Sequence, residues 1–182
     1  MIGVEVQAND PAARFTGTFN DDISSYSTTQ WDTTFRTNVY APFFLVRAAV
    51  PLLPPGSSII ITVSDVVANP TPGVHDYAAS KGALATLVQT LGISLGAKGI
   101  RINGVAPGLT YTPFLAAAGL TTEALEGFAS ALPLGRPGQP TELATVYVDL
   151  AEGVASYASG GIWQVNGGTT AYNFSGLGQV RL

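Results

Sequence analysis

Residues Ser58-Ile59-Ile60-Ile61-Thr62-Val63 form an almost unbroken β-branched run. A run of this kind, with no polar alternation, suits a strand buried on both faces, as in parallel sheets covered by helices. The flanking segments agree. Ser27-Thr28-Thr29-Gln30 is a capping-box pattern, with Ser27 as N-cap and Gln30 reaching back. Trp31, Phe35, Val39, Phe43, Val46 and Val50 then recur at helical spacing, and Pro51, Pro54, Pro55 and Gly56 end that helix. After a loop marked by Pro70, Pro72 and Gly73, a second helix is expected over 76–98, closed by Gly99. Ile100–Ala106 reads as a second strand broken by Pro107-Gly108, Thr141–Leu150 as a helix, and Ile162–Val165 as a third buried strand. Strand, helix, strand, helix, strand implies an α/β fold: a parallel sheet with helical crossovers.

Composition narrows the function classes. The chain has 182 residues, enough for one domain with a core. It has no Cys and a single histidine, His75, which excludes disulfides, thiolate chemistry and multi-histidine metal sites. The net charge of −4 argues against a nucleic-acid footprint. No run is long or pure enough to cross a bilayer, and no signal peptide is evident, so a cytoplasmic location is expected. Charged residues are only 11%, against about 25% in ordinary domains, which suggests that another subunit covers some surface.

Chemistry is concentrated at Tyr77-Ala78-Ala79-Ser80-Lys81. Tyr77 and Lys81, at i and i+4, share one helix face. A free phenol is a poor base at neutral pH, but a nearby ammonium stabilises the phenolate, and the pair can then act as a general acid–base. Taken alone, Tyr-x-x-x-Lys reads more readily as an ordinary surface helix. Ser64, just past the Ile59–Val63 run, shifts that balance: ligands of open α/β sheets bind beyond the carboxyl ends of strands, where a hydroxyl can steady developing oxyanion charge. Its plainer reading is a turn serine beside Asp65. Asn38 lies four residues before Pro42, which has no N–H to give it, so the Asn38 carbonyl is free to hold a water in a relay from Lys81. Pro107-Gly108 and the following Thr112 offer backbone groups and a hydroxyl at a strand end, suited to a carboxamide. His75 and Asp76 read as a loop residue and the helix N-cap.

These residues resemble the short-chain dehydrogenase/reductase family. The resemblance is carried by Trp31-Asp32 through Asn38 to Phe43-Phe44-Leu45, by Ser64, and by Tyr77 through Ala83. It continues through Arg101-Ile102-Asn103-Gly104-Val105-Ala106-Pro107-Gly108, Gly135 through Glu142, and Val165-Asn166-Gly167-Gly168, in the family's order and spacing. It implies that Tyr77 moves the substrate proton and that Lys81 tunes it and binds the nicotinamide ribose. It also implies that Ser64 orients the carbonyl, Asn38 supports the water relay, and Pro107, Gly108 and Thr112 meet the nicotinamide of NAD or NADP. Residues 109–131 would form a lid, with Tyr111, Phe114, Leu115 and Phe128 facing a small apolar alcohol or ketone. Helices 27–53 and 76–98 would pair copies into a homo-oligomer.

The family's Thr-Gly-x-x-x-Gly-x-Gly phosphate loop has no counterpart. Thr16-Gly17 lacks the later glycines, and Gly176-Leu177-Gly178 has no helix room after it. Only 37 residues precede Asn38. The expectation is therefore a partial Rossmann-like sheet, with the first βαβ units of the doubly wound fold missing and NAD(P) binding impaired. Residues 1–26 would be irregular apart from a candidate strand at Ile2–Val6 and a degraded turn at Ala8-Asn9-Asp10-Pro11, 27–170 a catalytic half, and 171–182 a tail, all in a single domain. The alternatives are a cofactor-independent dehydratase or isomerase using the same Tyr, Lys and Ser, and a non-catalytic pseudo-enzyme that oligomerises.

Overall fold

A computed structural model describes residues 20–113, 115, 121–130 and 132–169. The candidate strand Ile2–Val6, the Ala8–Pro11 turn, Thr16-Gly17, Phe114 and Gly176–Gly178 lie outside the described residues. Three parallel strands, β1 (Ser58–Thr62), β2 (Arg101–Pro107) and β3 (Ile162–Val165), lie in the order β1-β2-β3. Ser58 pairs with Arg101 and Thr62 with Val105, while Gly104 pairs with Ile162 and Pro107 with Val165.

The period of two along each strand divides the side chains between two helical layers. Ile59, Ile61, Val63, Ile102, Ala106 and Ile162 join Leu84, Ala85 and Val88 of α3 (His75–Gly96) in one apolar core. Gly104 is required there: a Cβ would sit 2.7 Å from Ile162 Cδ1 and 2.8 Å from Val63 Cγ2. The other face meets α5 (Pro140–Ala151), where Ser58 Oγ donates to Leu150 O and Thr62 Oγ1 pairs with Tyr147 Oη at 2.8 Å. Arg101 fastens the C-terminal end of α5 by donating to the carbonyls of Leu150, Ala158 and Glu152.

Several elements differ from expectation. β1 is half-buried rather than covered on both faces, with only Ile61 buried, because it borders the described sheet on one side alone. β3 matches its expected bounds, but Trp163 is exposed. The expected helix over 27–53 is interrupted. Ser27 caps α1 (Thr28–Phe35) by accepting the Gln30 N–H, a π turn follows at Arg36–Tyr40, and α2 (Ala41–Ala49) leads into a 3-10 turn. The Ala41 N–H reaches back five residues to Arg36 O, as expected where Pro42 removes a donor from the ladder. The wide turn rotates the apolar stripe, so Val46 is buried while Trp31 and Phe43 are exposed. α3 begins at His75 with Val74 as N-cap, so His75 and Asp76 belong to its first turn rather than to a loop and a cap. Within the expected lid, α4 spans Thr122–Ser130.

Candidate active site

The carboxyl ends of the three strands and the first turns of α3 meet at one edge of the sheet. Ser64 follows β1, Pro107-Gly108 closes β2, and Asn166 follows β3. α3 brings Tyr77 and Lys81 to the same edge. The Lys81 ammonium donates to Thr62 O at 3.0 Å, anchoring it to the last residue of β1, and it lies 5.6 Å from the Tyr77 ring centroid. The Ser64 hydroxyl lies close enough to the Tyr77 phenol to favour its ionised form. Tyr77, Lys81 and Ser64 are therefore brought together.

Burial acts on both ionisable groups toward their neutral forms. It pushes the Tyr77 phenol up, with the Ser64 hydroxyl opposing, and it pulls Lys81 down to about 8. The expected lowering of the phenol by its amine neighbour is not seen: desolvation raises it, and the opposing cause is the Ser64 hydroxyl. Burial thus separates the two groups in proton affinity, the phenol held above its ordinary value and the ammonium below its own.

Asn38 lies in the π turn, and its side-chain amide donates to Ser80 Oγ at 3.0 Å. Ser80, fully buried, donates in turn to the carbonyl of Tyr77 at 2.7 Å. The small residues beside Tyr77 thus partly serve packing between helices, and Asn38 reaches the tyrosine's backbone through Ser80. Thr112 is half-buried, and its carbonyl accepts the Leu115 N–H. The preceding loop is held to Gly138 by Leu109 and Tyr111. Of the expected lid lining, Tyr111 and Phe128 are exposed and Leu115 is half-buried. A cavity of about 120 Å³ lies behind the Pro107-Gly108 turn, among Leu109, Leu132, Leu134, Leu143 and Val165, and does not reach Tyr77.

Two buried carboxyl groups flank these residues. Asp76, 2% exposed, accepts from Tyr26 Oη, Gln30 Nε2, Thr34 Oγ1 and the Tyr77 N–H. Burial alone would raise it, but the bonds from Thr34, Tyr26, Tyr77 and Gln30 outweigh that and hold it below the usual carboxylate range. Tyr26 is pushed up to about 12 by burial and by its bond to Asp76. Asp65, beside Ser64, accepts from Asn166 Nδ2 at 2.7 Å. Sequence reasoning gave neither aspartate a role at the site. The available signal was only their adjacency to Ser64 and Tyr77.

Among the described residues no group of His, Asp or Glu could hold a metal ion, and no helix is long and apolar enough to cross a membrane. A family profile described as Enoyl-(Acyl carrier protein) reductase matches residues 10–170. The chain is 42% identical over 151 residues to the oxidoreductase YhxD of Bacillus subtilis (strain 168), covering 81% of this chain and 50% of that protein. It is 38% identical over 165 residues to the glucose and ribitol dehydrogenase of Daucus carota, covering 91% of this chain and 55% of that protein. The solved structure of the angucycline C-6 ketoreductase LanV with bound NADP superposes with a TM-score of 0.75 at 28% identity, covering 81% of this chain and 57% of that one. The chain thus spans about half the length of the curated relatives it matches. With the tyrosine, lysine and serine gathered at the carboxyl edge of a parallel sheet and the profile running through all of them, this chain belongs to the short-chain dehydrogenase/reductase family.

Proposed function

We propose that the chain carries the proton-transfer machinery of an NAD(P)-dependent oxidoreductase acting on a small apolar alcohol or ketone. Tyr77 is the general acid–base, and Ser64 orients the substrate carbonyl. Lys81 supplies charge beside the phenol and a donor to the cofactor ribose. Asn38 supports proton exchange with solvent through its backbone carbonyl. The observation that carries this reading is the convergence of the Ser64 hydroxyl and the Lys81 ammonium on one phenol.

The donor set suits the nicotinamide end of such a cofactor, which when bound exchanges a hydride with the substrate carbon. Lys81 and Tyr77 offer ribose contacts, and Pro107, Gly108 and Thr112 offer backbone groups and a hydroxyl for the carboxamide. The sequence holds no glycine-rich loop for the pyrophosphate, so this stretch of chain alone binds NAD(P) weakly. Exposed aromatic residues on α1 and α2 (Trp31, Phe43, Phe44) and Ile93 on α3 support pairing of copies through these helices.

The test is calorimetric titration of NADH and NADPH into the chain, followed by carbonyl reduction at high cofactor. Binding at a Kd of about 1 mM is expected, with turnover that falls by about 100-fold or more in Tyr77→Phe. Equal turnover in Tyr77→Phe would remove the acid–base role. Substrate proton exchange indifferent to NADPH, yet lost in Tyr77→Phe, would point to a cofactor-independent isomerase instead.

A further inference from the structure

Ser64 is presented to Tyr77 by a very short element. It is extended (φ −168°, ψ 150°) and caps a single 3-10 turn, Asp65–Val67, with Oγ accepting the Val66 N–H at 3.3 Å. The turn closes on itself: Ala68 and Asn69 N–H groups donate to Asp65 O, and Asn69 Nδ2 donates to Asp65 Oδ2 at 2.9 Å. One turn has too few internal bonds to fix its own orientation. Something outside it must aim the hydroxyl.

One external tie is the bond from Asn166 Nδ2 to Asp65 Oδ1, at 2.7 Å, between residues 101 apart in sequence. Asp65 is only 8% exposed. Asn166 is itself held on several sides. Its Oδ1 accepts the Gly168 N–H, its carbonyl accepts Thr169 Oγ1 at 2.7 Å, and Val165 O beside it accepts the Gly108 N–H at 2.9 Å. Its backbone presses on the end of β2 so closely that a Cβ on Gly108 would lie 2.7 Å from Asn166 Cα. The loop after β1 is therefore fastened across the end of β2 to the end of β3.

We propose that Asp65 and Asn166 are positioning residues whose mutual hydrogen bond seats the Ser64 hydroxyl on the Tyr77 phenol. This rests on the assignment of Ser64 and Tyr77 made above. The tie links three strand ends into one floor, so the turn carrying Ser64 keeps its orientation whether or not a ligand is present. Neither residue touches the reacting atoms.

The test uses the full 182-residue chain with 13C-labelled tyrosine and needs no turnover. The Tyr77 ring resonance is assigned by its loss in Tyr77→Phe, and Ser64→Ala defines its displacement when the serine hydroxyl is absent. Asp65→Ala and Asn166→Ala are each expected to move the resonance by about half of that displacement or more, and the double variant no further than either, since both break one bond. Asp65→Asn, which keeps an acceptor for Asn166, restores part of the signal and serves if Asp65→Ala does not fold. Ile61→Val lowers the melting temperature without touching the tie, and leaves the resonance in place. If Asn166→Ala, and Asp65→Ala where it folds, leave Tyr77 unmoved while Ser64→Ala displaces it, the positioning role is overturned and the proposed function stands. If Ser64→Ala itself displaces nothing, the Ser64–Tyr77 pair is overturned, and both fall.

Discussion

Two helices, α3 and α5, return the chain from one strand to the next, and each carries a carboxylate in its first turn that is held below the ordinary range. The arrangements are otherwise opposite. At α3 the Val74 N-cap offers no side-chain bond, and Asp76 is buried among donors from Tyr26, Gln30 and Thr34. At α5 Glu142 is exposed, accepts the Gln139 N–H, and takes both nitrogens of Arg136 at 2.8 and 2.7 Å. Arg136 and the Gln139 N–H together bring Glu142 down to about 2. Every partner of Glu142 lies within six residues of it, whereas the side-chain partners of Asp76 lie 42 to 50 residues upstream. Acidic first turns favour helix starts in general, but only the buried one encodes how two helices dock. It also lies directly before Tyr77.

The comparison breaks most sharply if the buried carboxylate is removed. Asp76→Ala removes the acceptor shared by Tyr26, Gln30, Thr34 and the Tyr77 N–H, and should cost about 3 kcal/mol in denaturant unfolding. The same variant should loosen α1 from α3, read as faster amide exchange over Thr28–Phe35. An undiminished midpoint would mean that water replaces the carboxylate without loss.

Acid should act through the same group. The folded-state value of Asp76 is depressed, so its contribution is fully present above the unfolded value near 3.8 and is lost as pH falls through the folded one. Melting scans of the unaltered chain and Asp76→Asn should differ most near neutrality and converge as pH drops below about 4. A gap that stays constant through that window would show that charge is not what the donors recognise.

How far the sequence anticipated this follows from where each signal's partners lie. α5 and β3 are legible because their marks are local: Pro140 and Glu142 at the helix start, and Ile162, Trp163 and Val165 for the strand. The Tyr77–Lys81 face follows from helix geometry alone. Ser64 is singled out by its place just past the β1 run, and the family resemblance adds its role toward the substrate carbonyl. The burial of β1 was overread, because a β-branched run states what a strand tolerates and not what covers it. Pro42 was visible, but the π turn it sits beside, and the rotation of the Trp31–Phe43 stripe, depend on how the next turns dock. Asp76 reads as a cap in the sequence because its side-chain donors lie 42 to 50 residues upstream. The phenol was expected to be lowered by Lys81, and burial reverses the sign.

Removing one donor sharpens the comparison at smaller scale. Tyr26→Phe keeps the ring against His75, a 5.6 Å contact, while deleting the 2.6 Å bond to Asp76. A loss of about 1 kcal/mol is expected, since three acceptor contacts survive. The unaltered chain should also weaken as pH rises from about 10 toward about 12, where an unfolded tyrosine ionises before the folded one does. Tyr26→Phe should flatten that alkaline limb, and an unchanged limb would assign it to another group.

The smallest effect belongs to the exposed helix start. Arg136→Ala removes a bidentate partner from Glu142, yet the side chains are 52% and 44% exposed, so water resolvates the freed carboxylate. Glu142 also keeps the Gln139 N–H, which holds the first turn of α5 without the arginine. The melting temperature should therefore fall less than in Tyr26→Phe. The residual difference should disappear in about 1 M salt, where a Debye length of about 3 Å screens an exposed pair. Asp76→Ala should keep its deficit in the same salt, because its donors are neutral and the carboxylate itself is buried. If Arg136→Ala proved the more damaging of the two and salt did not narrow it, the arginine would be holding the Leu132–Pro137 segment in place and not merely a local helix cap.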